Sequence, residues 1–277
     1  MKAALFLAAS ASALHISPLR PVHTPRASPP SLSVAVFGAS GGTGSEAVLQ
    51  ALERGEDVTC LVRDASRLKA PRTAGGFTEG AAFSSDKLTV ATGSVTNKAD
   101  VDAVFAKGDV TGVVVALGGK TKDVGPTMLQ DGTANIIAAM KANGVKRVSV
   151  VTTIGAGDSM EQAPWAFRLL MMTVMSSIMA DKNEQEGLFL APGAPGAELE
   201  YTLVRPGGLK SEPPTGIVNV AKDEAGAINR GDVAAFCLDA ALEGDFQFLK
   251  QAVCINSDMG SGFASVLADK TKSRMAK

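Results

Sequence analysis

The chain is poor in the residues that carry most acid–base and nucleophilic chemistry. Its 277 residues hold two histidines, one tyrosine (Tyr201) and one tryptophan (Trp165). Both histidines, His15 and His23, fall in the first 30 residues, so the remainder has no imidazole for proton transfer or metal ligation. The three cysteines, Cys60, Cys237 and Cys254, are scattered through apolar runs. An odd, sparse set excludes a disulfide framework, and no metal site is expected. Charge is thin as well: 20% of residues are charged and the net charge is −1. That balance gives no electrostatic basis for binding nucleic acid. No apolar run approaches the roughly 20 residues a bilayer span needs, so membrane association is at most peripheral.

No acidic residue precedes Glu46. Lys2 leads into the apolar stretch Ala3 to Ala9, and the small residues 11–13 (ASA) suit a cleavage site. The segment that follows carries Arg20, Arg26, several serines and five prolines, a transit-peptide composition. A signal peptide followed by such a segment resembles the bipartite leader of proteins imported into complex algal plastids, with Leu14 where those leaders usually have an aromatic. Residues 1–31 are therefore expected to be a targeting leader bound for the plastid stroma, with simple secretion as the alternative. Residues 32–260 should form the folded domain and 261–277 a tail.

From residue 32 onward, strand and helix patterns alternate. SLSVAVF, DVTCLV, KLTVATGSV, VTGVVVALGG and VKRVSVVTTIG read as five buried strands, each followed by a helical or turn pattern. Asp64 reads as the cap of a short helix stopped by Pro71, and residues 71–86 as a surface loop. Residues 165–190 read as one helix of six or seven turns. LEYTLV, GIVNVA and QAVCINS give further strands, with a helix over 230–244 between the last two. The pattern predicts an α/β Rossmann fold: a doubly wound parallel sheet, helices on both faces and a small C-terminal lobe.

Four glycines, Gly38, Gly41, Gly42 and Gly44, crowd seven positions after the first strand. In a doubly wound sheet that turn faces the ligand crevice. Missing side chains there let backbone N–H groups and a helix N-terminus reach a diphosphate. The second strand ends in Arg63, suited to a 2′-phosphate, with Asp64 in the position where a carboxylate would hold an unphosphorylated ribose. Arg67 and Lys69 add positive charge, so NADP is favoured over NAD.

VFGASGGTG, VRD, the DGTANII…VVT block, YTLVRPGGL and RGDVAAFCL together resemble the atypical short-chain dehydrogenase/reductase superfamily, in its NmrA-like, biliverdin-reductase-B-like and Tic62-like branch. The resemblance implies that Gly38, Ser40, Gly41, Gly42, Thr43 and Gly44 cradle the phosphates and Arg63 the 2′-phosphate. It implies that Ser94 and Val95 flank the adenine, and that Ala116, Leu117 and Gly118 flank the ribose and cofactor bridge. Thr152, Thr153 and Pro206 would line the nicotinamide end. Pro206 with the glycines after it reads equally well as a strand stop and turn.

Members of the superfamily use Tyr-x-x-x-Lys, the lysine lowering the tyrosine's pKa and holding the ribose. Here Lys182 stands near the lysine position, with Ile178 where the tyrosine would be. An alkyl group donates no proton. Tyr201 lies within a strand and reads as a packing residue, and Lys182 reads equally as a solvated helix charge. Hydride transfer to a conjugated apolar acceptor, assisted by Thr152, Thr153 or solvent, is one expectation; Lys182 would then contact the ribose. A non-catalytic NADP-binding scaffold or assembly factor for a plastid complex is the other. A sugar-nucleotide epimerase ranks below both, lacking the tyrosine. Met160, Met171, Met172, Met175 and Met179, with Trp165 and Phe167, suit an apolar substrate pocket, a docking face or a helix buried in its own core.

Overall fold

The computed structural model describes residues 32–119, 125–163, 165–221 and 226–259; the expected leader and tail lie outside the described residues. β1 (Ser33–Phe37) is followed by helix α1 (Gly42–Glu53) and β2 (Asp57–Val62). Then come β3 (Leu88–Thr92), α2 (Lys98–Val104), β4 (Gly112–Val115), α3 (Met128–Ala142) and β5 (Arg147–Val151). The main sheet runs β3-β2-β1-β4-β5-β6-β10-β8, with β6 at Glu200–Pro206, β10 at Gln251–Asn256 and β8 at Asn219–Ala221. All its pairings are parallel except β8 with β10. The strand order reverses between β1 and β4, the switch point where a doubly wound sheet opens its ligand crevice.

Period-two alternation places successive side chains of a strand on opposite faces. In β1, Val34 and Val36 join one core cluster, while Ala35 and Phe37 join the other. The first cluster packs against α1 and α6 (Arg230–Leu242), through Val48, Val233 and Phe236. The second packs against α2, α3 and α5 (Ser176–Leu190), through Phe105, Ile136 and Phe189. Because both faces are covered, the strands read as continuous apolar runs. The small second sheet, β11-β9-β7, joins β7 (Gly208–Lys210), β9 (Gly226–Asn229) and β11 (Asp258–Met259) beside the carboxyl end of β6.

Two expectations change. Residues 165–190 form two helices, α4 (Trp165–Met172) and α5, separated by Thr173–Met175. The Thr173 hydroxyl donates to the carbonyl of Leu169 at 2.7 Å, and Met175 N–H bonds Leu170 O, five residues back. The side chain competes for helix acceptors just where two β-branched residues, Thr173 and Val174, disfavour helix. The strand expected over GIVNVA begins only at Asn219. Other readings hold: Asp64 caps a 3₁₀ turn at Ala65–Arg67, and Tyr201 packs in the core 5.3 Å from the Phe189 ring.

Candidate functional site

A cavity of about 910 Å³ opens at the carboxyl ends of β1 to β5. Its floor is the glycine turn. Gly38 sits at φ +83°, and a Cβ there would lie 2.6 Å from the carbonyl carbon of Ala116. Gly41 caps α1 with no side-chain hydrogen bond, so the helix's first amides face the cavity unmasked. Ser40, Gly42 and Thr43 complete this wall. Gly44 lies beneath it, where a Cβ would sit 2.7 Å from the carbonyl carbon of Gly38. Its absent side chain lets α1 close against the turn.

The remaining expected residues divide by depth. Arg63, Ser94, Val95, Ala116, Leu117 and Gly118 line the cavity. Thr152 and Pro206 are buried just beyond it, Pro206 accepting from Ile154 N–H, and Thr153 is partly exposed. Lys182 does not reach the lining; its ammonium donates to the backbone oxygen of Thr152 at 3.2 Å. Leu209, the last residue of RPGGL, lines the cavity as the resemblance implied, and residues the sequence reading did not single out also face it, among them Arg230, Met128 and Val151. Among the described residues the wall therefore carries three arginines, Arg63, Arg67 and Arg230, and no carboxylate. Asp64 is turned to Ser66, whose hydroxyl and amide hold its carboxyl below the usual range; it does not join the lining.

Beside the end of β5 lies a buried ion pair that was not anticipated. Arg205 Nε and Nη2 donate to the Glu186 carboxylate at 3.0 and 2.6 Å, and Nη1 donates to Asp158 at 2.6 Å. Arg205 and Glu186 are 3% and 1% exposed, so water screens neither. Burial works against the guanidinium's charge, but the Glu186 hydrogen bonds and charge, then those of Asp158, outweigh it and push its pKa up. The Thr152 hydroxyl donates to Glu186 Oε1 at 2.7 Å, which fixes that side chain as well. The three cysteines are buried; burial pushes Cys60 and Cys237 up to about 12 and Cys254 to about 11, so none is a thiolate at neutral pH. Among the described residues no His/Cys/Asp/Glu group could hold a metal.

Burial lowers the Lys182 ammonium from 10.5 to about 8, against the opposing pull of Glu186 and Asp181. Between those values the unfolded chain binds more protons than the folded one, so stability rises with pH across that window. Below about 8 the cost of the buried charge is constant. Lys182→Met should therefore stabilise the fold by about 3 kcal/mol at pH 7, a gain that shrinks as pH rises from 8 and is nearly gone by about pH 11. Urea unfolding at both pH values checks this; an equal effect at both would contradict it.

The methionine-rich segment splits between its expected roles. Met171 and Met179 are buried against Ile154 and Ala156, in the turn that follows β5. Trp165, Leu169 and Met172, at helical spacing on α4, are 75%, 59% and 68% exposed. No helix among the described residues is long and apolar enough to cross a membrane.

Comparison with known proteins agrees with this geometry. A family model described as NAD(P)H-binding matches residues 38–243. The chain is 30% identical to the chloroplastic protein At2g34460 of Arabidopsis thaliana over 227 residues, 78% of this chain and 74% of that one. It is 26% identical over 185 residues to protein TIC 62, chloroplastic, of Oryza sativa subsp. japonica, covering 64% of this chain and 35% of that protein. Solved structures with the same fold include ChuY, an anaerobillin reductase from Escherichia coli (TM-score 0.61, 20% identity, 81% of this chain and 97% of that one). A short-chain dehydrogenase/reductase from Veillonella parvula in complex with NADP also shares it (TM-score 0.62, 17% identity, 81% and 94%). The glycine turn, the switch-point cavity and the family match over residues 38–243 place the chain in the NAD(P)H-binding family.

Proposed function

We propose that the protein is a plastid NADPH-dependent oxidoreductase that passes hydride to an apolar, conjugated small molecule. The observation that carries this reading is the cavity wall itself, which among the described residues has three arginines, no carboxylate and a glycine turn at its floor. A dinucleotide with a 2′-phosphate matches that charge; Arg63 and Arg67 stand where the phosphate would lie, while Asp64 is engaged with Ser66. An acceptor such as a flavin, quinone or bilin delocalises the incoming electron pair and needs no enzyme tyrosine. This suits Ile178 in the tyrosine position. The anaerobillin reductase among the neighbours and the chloroplast relatives support the acceptor class and the plastid. Thr152 is held by Glu186 and Lys182 by the Thr152 carbonyl, both behind the cavity wall, which leaves Thr153 or solvent as the proton source.

A second reading is an NADP-binding scaffold for a plastid complex, favoured by the exposed apolar ridge of α4 and the missing tyrosine. One experiment separates the two. Purified full-length chain is titrated with NADPH and NADH, then incubated with NADPH and a panel of flavins, quinones and bilins. NADPH should bind at least about tenfold more tightly than NADH, and Arg63→Gln should remove most of that difference. Tight binding without oxidation by any acceptor would favour the scaffold. Binding of neither nucleotide at millimolar concentration would sink both readings.

A further inference from the structure

Arg230 opens α6, and its side chain runs across the first turn of α1. A Cβ on Gly42 would lie 2.6 Å from Arg230 Cδ and 2.8 Å from its Nε, so only glycine lets this arginine cross there. Nη1 donates to the Ser211 hydroxyl at 2.6 Å. Unlike Arg54, Arg72, Arg147 and Arg205, each of which meets a carboxylate, Arg230 has no ion pair among the described residues. Its guanidinium is half-buried, and that burial lowers its pKa with no compensating charge. Holding a cation out of water without a counter-charge is costly. Proteins keep such a group where a ligand supplies the missing anion.

The scaffold around Arg230 is rigid. Gln50 of α1 donates to the carbonyl of Gly231 at 2.8 Å, tying the start of α6 to α1. The buried Asp232 carboxylate accepts from the amides of Thr215 and Gly216, which pins the preceding loop to the same helix turn. Arg230 is thus fixed over the one place in the cavity where α1's unmasked amides converge.

We propose that Arg230 is the counter-cation for the diphosphate of a bound dinucleotide, gripping it from beside the first turn of α1. This rests on the nucleotide-binding reading above and adds a division of labour: Arg63 reads the 2′-phosphate, and Arg230 reads the bridge common to NADPH and NADH. A planar guanidinium with Nε and Nη2 uncommitted among the described residues can donate two parallel hydrogen bonds to phosphate oxygens.

The test is calorimetric titration of the full chain, Arg230→Gln and Arg230→Lys with three probes: NADPH, ADP-ribose and adenosine 2′-monophosphate. Arg230→Gln should weaken NADPH and ADP-ribose alike by about 10- to 100-fold, and leave adenosine 2′-monophosphate, which lacks the bridge, within twofold. Arg230→Lys keeps the charge but not the fork, so it should fall between. Unliganded Arg230→Gln should melt within a few degrees of wild type, since the side chain makes one hydrogen bond, to Ser211, and no ion pair among the described residues. Should it instead unfold, Arg230→Lys carries the test through the same contrast between probes. NADPH binding unchanged in a folded variant overturns the proposal while leaving the dinucleotide reading intact, as does an equal loss for all three probes. Wild type that binds none of the three overturns both.

Discussion

Glu186→Ala is expected to cost about 3–5 kcal/mol of folding stability, as much as truncating a large core side chain. The substitution leaves the Arg205 guanidinium almost fully buried, with only the exposed Asp158 carboxylate for company. Removing one member of a buried pair strands the other charge in a medium that solvates it poorly, which costs more than the pair itself contributes. The double variant Glu186→Leu, Arg205→Met removes both charges and should recover most of the loss. Urea unfolding of the two singles and the double measures the coupling directly. A single variant that loses less than about 1 kcal/mol would show that water reaches the pair. Nucleotide affinity should change little in the double variant, because neither residue lines the cavity.

Gly38→Ala is expected to reduce NADPH affinity by more than about 100-fold and to lower the melting temperature by several degrees. Two effects combine at this position. The backbone occupies φ +83°, which costs a side-chain-bearing residue about 1 kcal/mol. The new methyl would also overlap the Ala116 carbonyl, which belongs to the backbone leaving β4 and cannot rotate away as a side chain could. The turn must move, and the amides aimed into the cavity move with it. Gly76→Ala supplies the control: Gly76 has φ +81° with nothing within 4 Å of its Cβ position. If the two variants bind NADPH equally well, the close approach to β4 is irrelevant to the site.

The contrast between these two positions explains what could be read from the chain before its structure. The jobs of Gly38, Gly41 and Gly44 are local, each set by a turn that joins one strand to the next helix. Their spacing therefore announced the turn, the cavity and the ligand class together. Arg63 was legible for the same reason, since a strand end fixes where its residue points. Glu186 was not. The segment DKNEQEG looks like a solvated helix face, yet Asp181, Gln185 and Glu186 are all buried in α5. Their partners, Leu129 and Gln130 amides, Thr133 and Arg205, come from α3 and β6. Pairing between elements brought together only by the sheet leaves no periodic trace. Arg230 escaped notice similarly: it reads as an ordinary first residue of a helix, and only the neighbouring Gly42 shows that its side chain is directed over α1. The break at Thr173 was hidden by continuous helical apolar spacing, which does not register a hydroxyl's competition for a carbonyl.

Adjacent residues of α5 pull in two directions. Asp181 accepts from the first amides of α3, whose opening residue Met128 borders the nucleotide space, while Lys182 holds the carbonyl of Thr152 at the far end of that space. The helix is thus a crossbeam between two walls that share no direct bond of this kind. Moving it would shift both walls of the cavity together. Evolving a new acceptor preference here should be easiest through α4, which lies outside that brace.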